Sequence, residues 1–265
     1  MVKIMYLSPV AHRTAHNEIF ADMARDYKLP GTEVHITSLP DSGGNFSHIE
    51  YRSYEGMITS GIIRATRAAA REGFDALAIG CFYDTGLSEA QEVSGDMIVT
   101  APCQSSCEIA ASLSNRFGVV VGRRKWVHQM QETVHRLGHR DRLSGFYHVD
   151  LGVTEFQEDH ERTESRLLQA GKKAVEQDYA EAIILGCTME VGFYKNVEAE
   201  LGVPVIDPSI AALKRAEYGA MLKRDCGWKP SRKWSCEAPP EEEIEHIGAF
   251  DTGEIFGGRI IVPAT

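Results

Sequence analysis

Two stretches of this chain share one pattern. Ala182-Ile183-Ile184-Leu185 runs into Gly186-Cys187, and Ala76-Leu77-Ala78-Ile79 runs into Gly80-Cys81. In both, an apolar run of strand length meets Gly-Cys, and a polar or helical segment follows. The two cysteines lie roughly 100 residues apart, about the size of one small α/β half-domain. The chain is thereby constrained to two similar halves, each with a strand that ends at a thiol.

Strand-like runs recur at Lys3–Leu7, Glu33–Leu39, Ala76–Gly80, Asp96–Thr100, Phe117–Val121, Ser144–Val149, Ala182–Leu185 and Pro204–Ile206. Segments with helical spacing lie between most of them: Thr14–Tyr27, Tyr54–Glu72, Cys103–Asn115, Lys125–Leu137, His160–Gln177 and Pro208–Lys223. Such alternation predicts an α/β fold with mostly parallel sheets covered by helices on both faces. The split falls near Pro102. Residues 1–101 with 208–224 are expected to form a first lobe, and residues 102–207 a second, pseudo-symmetric one. Residues 225–265, ending in the strand-like run Gly258–Val262, are expected as a C-terminal extension that packs on the body or on another subunit, covering Ile255, Phe256, Ile260 and Ile261. The loop from Pro40 to Ser53, with Gly43-Gly44-Asn45, is longer than most connections and reads as a binding loop or lid.

A formal net charge of −10 and a pI near 5.5 argue against general affinity for nucleic acid or an anionic membrane surface. The basic cluster Arg123-Arg124-Lys125 is too short to change that. The apolar start Met1–Leu7 reads as a first strand rather than a secretory leader, and no run reaches the length that spans a bilayer. Six cysteines without a leader fit a reducing cytoplasm better than a disulfide framework.

In open parallel sheets, ligands bind beyond the carboxyl ends of the strands. Both Gly-Cys pairs are expected there, with a following helix whose free N–H groups lower the thiol pKa. A thiolate on one side of a substrate carbon and a thiol on the other can invert that centre without metal or cofactor. Taken singly, either cysteine also reads as a small buried hydrophobe. Their repetition at equivalent strand ends favours chemistry.

The segment Gly80-Cys81-Phe82-Tyr83-Asp84-Thr85-Gly86-Leu87 resembles the Cys-Phe-x-Asp-x-Gly-Leu motif of hydantoin racemases, within the aspartate/glutamate racemase superfamily. Leu185-Gly186-Cys187-Thr188 is similar to the second cysteine motif, and Gly202-Val203-Pro204-Val205-Ile206-Asp207 to the strand that follows it. Ser47-His48-Ile49-Glu50 resembles the family's Ser-Ile-Glu loop. The resemblance covers about residues 1–224. It implies a cleft between two lobes that binds a small carboxylate or cyclic ureide, with Cys81 and Cys187 as acid and base. It further implies a homo-oligomer, with Thr188 and neighbouring backbone amides holding a carboxylate or carbonyl oxygen. Phe82, Tyr83, Ser8, His12, Ser47 and Glu50 are read as further substrate contacts. This chain departs from the family at Leu7–Thr14, at Thr188-Met189-Glu190 in place of Ala-Gly-Met, and in its tail. Some relatives decarboxylate with a single cysteine as proton donor, so a lyase stands as the alternative to a racemase. A two-lobed binding module without chemistry is the third reading.

Other groupings are weaker. His12 and His16 read as carbonyl ligands or a pH-sensitive gate, or as a solvated helix start. His135 and His139 have metal-seating spacing but lack a third ligand. Cys103 with Cys107, and Cys226 with Cys236, read as packing before redox or zinc chemistry. No phosphate-binding glycine motif follows a strand, so no nucleotide or dinucleotide cofactor is expected.

Overall fold

Ala76–Ile79 and Ala182–Leu185 are strands buried along their whole length. A strand with both faces apolar needs cover on both sides, which parallel sheets with crossover helices supply. In the computed structural model, which describes residues 1–11, 14–41 and 44–265, each is the third strand of such a sheet.

In chain order the elements are β1 (Val2–Ala11), α1 (Thr14–Tyr27), β2 (Thr32–Leu39), α2 (Arg52–Arg71), β3 (Ala76–Ile79), α3 (Leu87–Val93), β4 (Ile98–Thr100) and α4 (Pro102–Leu113). Then come β5 (Phe117–Val121), α5 (Val127–Arg136), β6 (Leu143–His148), α6 (His160–Asp178), β7 (Ala182–Leu185), α7 (Tyr194–Leu201) and β8 (Val205–Ile206). The chain closes with α8 (Pro208–Cys226), α9 (Glu241–Ile247) and β9 (Arg259–Val262).

One unit comprises Met1–Gly80, Thr85–Ala101 and Leu213–Thr265. Its sheet runs β4-β3-β1-β2-β9, with β1 to β4 parallel and β9 antiparallel against β2. Ile4, Met5, Tyr6 and Leu7 on the central strand expose no surface. The other unit comprises Cys81–Asp84 and Pro102–Ala212, and its sheet β6-β5-β7-β8 is parallel throughout. Val119, Val120 and Val121 are likewise fully buried. The order β2-β1-β3-β4 in one sheet is therefore matched by β6-β5-β7-β8 in the other, and the α/β class with parallel sheets flanked by helices is that expected.

Three segments group differently from the expected boundaries. Cys81–Asp84 belongs with the second unit because the Asp84 carboxylate accepts backbone N–H groups of α4. Residues 208–212 also belong there, since the side chain of Asp207 caps the start of α8. Residues 225–265 are part of the first unit: β9 pairs with β2 from Val34↔Val262 to Thr37↔Arg259. Nearly buried Arg67 on α2 donates to Glu241 and Asp251, and Arg259 pairs with Glu72, so charges fix this tail to α2 and its end. Val262 is buried in the pairing with β2 and Ile255, Phe256 and Ile260 are half-buried, but Ile261 stays 53 % exposed, contrary to the expectation that the tail would cover it, because alternate residues of an edge strand face outward.

The two glycines that end β3 and β7 occupy one register. Gly80 N–H donates to Leu7 O at 2.8 Å, and Gly186 N–H to Val120 O at 2.7 Å. A Cβ on Gly186 would lie 2.6 Å from that Val120 oxygen and 2.7 Å from Val121 Cγ1. On Gly80 it would meet the Tyr6 ring at 2.9 Å and Leu7 O at 3.1 Å. Backbone cannot yield as a ring can, so Gly186→Ala is expected to cost about 1–3 kcal/mol, with Gly80→Ala nearer the low end. Urea unfolding of the two variants checks this order; equal costs would contradict it.

Candidate active site

Each glycine releases the chain from its sheet, and the next residue is a cysteine. Cys81 and Cys187 are each 8 % exposed and belong to the same unit. Each opens a tight turn of the same kind: Asp84 N–H donates to Cys81 O at 3.0 Å, and Glu190 N–H donates to Cys187 O at 3.0 Å. The expected helix does not follow directly. After Cys81 the chain passes through Asp84, at φ +55°, and Gly86, at φ +66°, before α3 begins. After Cys187 there is a single 3-10 turn over Thr188–Glu190, and α7 starts only beyond Gly192, at φ +93°. Left-handed residues reverse the chain and break helical propagation, which separates each thiol from a helix N-terminus.

Side chains hold these turns instead. Asp84 accepts N–H groups of Cys103 at 2.8 Å and Gln104 at 2.9 Å. These are the first donors of α4, whose leading Pro102 has none to offer and whose preceding residue, Ala101, carries no oxygen to cap them. Asp84 is thus the cap of a helix that starts well beyond it in the chain. Burial pushes its carboxyl up to about 7, against the two N–H groups and Arg136, which pull it down. In the second turn, Cys187 N–H donates to Glu190 Oε2 at 3.1 Å. Ser209 Oγ donates to Thr188 O at 3.2 Å, and Gln157 Nε2 to Met189 O at 2.8 Å and Val191 O at 3.3 Å. Asp207 accepts from Gly192, Ser209 and Ile210, tying the end of the turn to the start of α8. Burial raises Asp207 to about 6 despite those three donors.

The residues expected to contact substrate fall in both units. Phe82, Tyr83 and Thr188 are in the unit that holds the cysteines and are almost wholly buried. Ser8, at the carboxyl end of β1, and Glu50 are buried in the other unit, and Ser47 is half-buried there. His12 lies outside the described residues. Beside Ser47, the rings of Phe46, His48, Tyr51 and Tyr54 form one exposed to half-exposed cluster. Among the weaker candidates, Cys103 and Cys107 are fully buried, and the hydrogen bond between their thiols, with burial, keeps Cys103 well above the usual thiol range. His139 packs edge-on against Phe117. Cys226 and Cys236 are exposed free thiols.

Sequence reasoning assigned no role to the acids three residues after each cysteine, or to Asp207 and Gln157. Signals for some of them existed. Asp207-Pro208 is a capping residue followed by proline at the first helical position. Cys187-x-x-Glu190 has the spacing of a capping box with cysteine in place of serine.

The folded value of Asp84 lies above the ordinary carboxyl value near 4, so folding holds this proton to higher pH than the unfolded chain does. The stability contributed is full below about pH 4 and is lost as pH rises toward about 7. Asp84→Ala is expected to cost about 1–2 kcal/mol at pH 4 through loss of the cap. It should also flatten part of the decline toward pH 7. Urea unfolding across that range checks both, and an unchanged slope would contradict the assignment.

Residues 18–216 match the model of the Asp/Glu/Hydantoin racemase family. Over 191 residues the chain is 37 % identical to the hydantoin racemase of Pseudomonas sp. (strain NS671), covering 72 % of this chain and 74 % of that one. It is 32 % identical over 243 residues to the hydantoin racemase of Paenarthrobacter aurescens, covering 91 % and 99 %. Among solved structures, allantoin racemase from Klebsiella pneumoniae matches with a TM-score of 0.80 at 25 % identity, over 91 % of this chain and 95 % of that one. With sheets of matching order and thiols released at the same register, this chain belongs to the Asp/Glu/hydantoin racemase family and is an enzyme of the racemase type.

Proposed function

We propose that this enzyme racemises a small cyclic ureide or amino-acid-derived carboxylate without a cofactor, with Cys81 and Cys187 exchanging roles as base and acid. The observation that carries the reading is the repeated turn: each cysteine is the first residue past a glycine whose N–H closes the ladder, on equivalent strands. The names of the similar proteins, hydantoin and allantoin racemases, support a ureide as the substrate class.

The chemistry runs at a carbon next to a carbonyl. One cysteine, as thiolate, removes the proton from that carbon and becomes a thiol, and the electron pair moves onto the carbonyl oxygen. The other cysteine, as thiol, then delivers its proton to the opposite face as the carbonyl re-forms, and is left as thiolate. The centre is inverted and the enzyme stands ready for the opposite enantiomer. A carbon acid is far weaker than a thiol, so the developing oxyanion needs donors; Thr188, beside Cys187, is assigned that role with neighbouring backbone amides. Phe82 and Tyr83, following Cys81, are assigned the substrate's apolar face. Six free cysteines, four of them buried, support a reducing, cytoplasmic location. The family likeness supports a homo-oligomer.

One enantiomer of a 5-substituted hydantoin incubated with enzyme in deuterated water is expected to lose optical activity as deuterium enters the stereocentre. Absence of exchange with hydantoins, allantoin and amino acids alike would refute the reading. Cys81→Ser and Cys187→Ser are each expected to lower kcat about 100- to 10,000-fold. A large loss in only one of them, with carbon dioxide released from a malonate-type substrate, would instead indicate one-thiol lyase chemistry.

A further inference from the structure

Glu190 is fully buried, and its two oxygens are unequal. Oε2 accepts the Cys187 N–H at 3.1 Å, whereas Oε1 has no hydrogen-bond partner. The backbone of Glu190 also returns to Cys187, its N–H donating to the cysteine carbonyl. One residue therefore binds both backbone polar groups of the cysteine. Of the titratable groups around it, the Asp207 carboxyl faces it from the β8–α8 junction and Cys187 itself stands at the end of β7.

We propose that Glu190 is a positioning residue for the Cys187 thiol, and that it acts as an uncharged carboxylic acid. The charge state follows from the surroundings. An ionised carboxylate would hold an unpartnered oxygen in a site closed to bulk solvent beside a second carboxyl group, and both burial and that neighbour disfavour it. A neutral acid still accepts the Cys187 N–H through its carbonyl oxygen. The consequence bears on the thiol. A negative charge this close to Cys187 would oppose formation of a thiolate, whereas a neutral acid fixes the backbone of the cysteine and leaves the thiolate unopposed. Asp207 accepts three backbone N–H groups, whereas Glu190 leaves Oε1 without any, so the two divide the labour in physical terms: the better-satisfied acid takes whatever charge the pair carries. In line with this, burial first and Asp207 second hold the Glu190 carboxyl well above the usual range.

This assignment rests on the reading of Cys187 as acid and base, but its test does not need turnover. The rate of Cys187 alkylation by iodoacetamide, followed by peptide mass in the full-length protein from pH 6 to 10, gives the titration midpoint of that thiol. Glu190→Gln, neutral and nearly isosteric, is expected to leave the midpoint within 0.3 pH unit of the parent protein. Glu190→Met, which fills the space but offers the Cys187 N–H no oxygen, is expected to move the midpoint by at least half a unit or to change the rate at pH 8 at least threefold. If Glu190→Gln lowers the midpoint by a full unit, the residue carries charge and the proposal is overturned. If Glu190→Met titrates and reacts as the parent does, the positioning role is overturned. Either result would stand apart from a failure of the racemase reading, which the deuterium experiment detects.

Discussion

The bond from a glycine N–H to a carbonyl of the neighbouring strand is the constraint on which the rest of the site depends. It is the last rung of the ladder in both sheets, Gly80 to Leu7 and Gly186 to Val120. Its short length requires that no side chain stand between the strands, and at Gly186 even one carbon would collide with backbone. Past that rung the chain has no strand partner, yet it remains buried, so every N–H and C=O there has to find another group. The turns after Cys81 and Cys187 meet this demand in unlike ways. The first is closed by its own backbone and lends its acid to a helix, whereas the second collects Glu190, Ser209, Gln157 and Asp207 around itself. The thiols are held by satisfied backbone rather than by packing alone.

Such an arrangement works against stability. Asp84, Glu190 and Asp207 are three carboxyl groups that burial pushes upward, each within a few residues of the candidate thiols or bonded to their turns. A core of leucines would fill the same space at less cost. Perturbed acids close to nearly buried thiols are a combination that burial alone does not favour and that functional sites share.

The fold was open to reading because its signals are local. Four apolar residues in a row at Ala76 and at Ala182, flanked by helical spacing, sufficed for parallel sheets covered on both faces, and Gly-Cys marked where they end. The motif likeness pointed to the family for the same reason, since Cys81 to Leu87 and Leu185 to Thr188 are continuous stretches. The network around the cysteines is not local. Asp84 reaches Cys103, Gln157 reaches Met189, and Asp207 reaches back to Gly192, and no periodicity records which distant backbone group a polar side chain will meet. The expectation of an α-helix immediately after each cysteine was misplaced because Asp84 after Cys81 and Gly192 after Cys187 take left-handed conformations, which their residue types permit without announcing. The strand-like run that ends the tail joins the first sheet, and only the partner strand β2 decides which sheet it joins.

That strand has a consequence for how the chain is made. During synthesis β1 to β4 emerge first, then every strand of the second sheet, and only then β9. Val34 to Thr37 on β2 thus present an unpaired edge while the whole second unit is still being built. Long-range pairing of this sort is slow and leaves hydrogen-bonding groups exposed to other chains in the interval. Until β9 is made, the β2 edge stays open to mispairing, and pairing with Arg259–Val262 closes it.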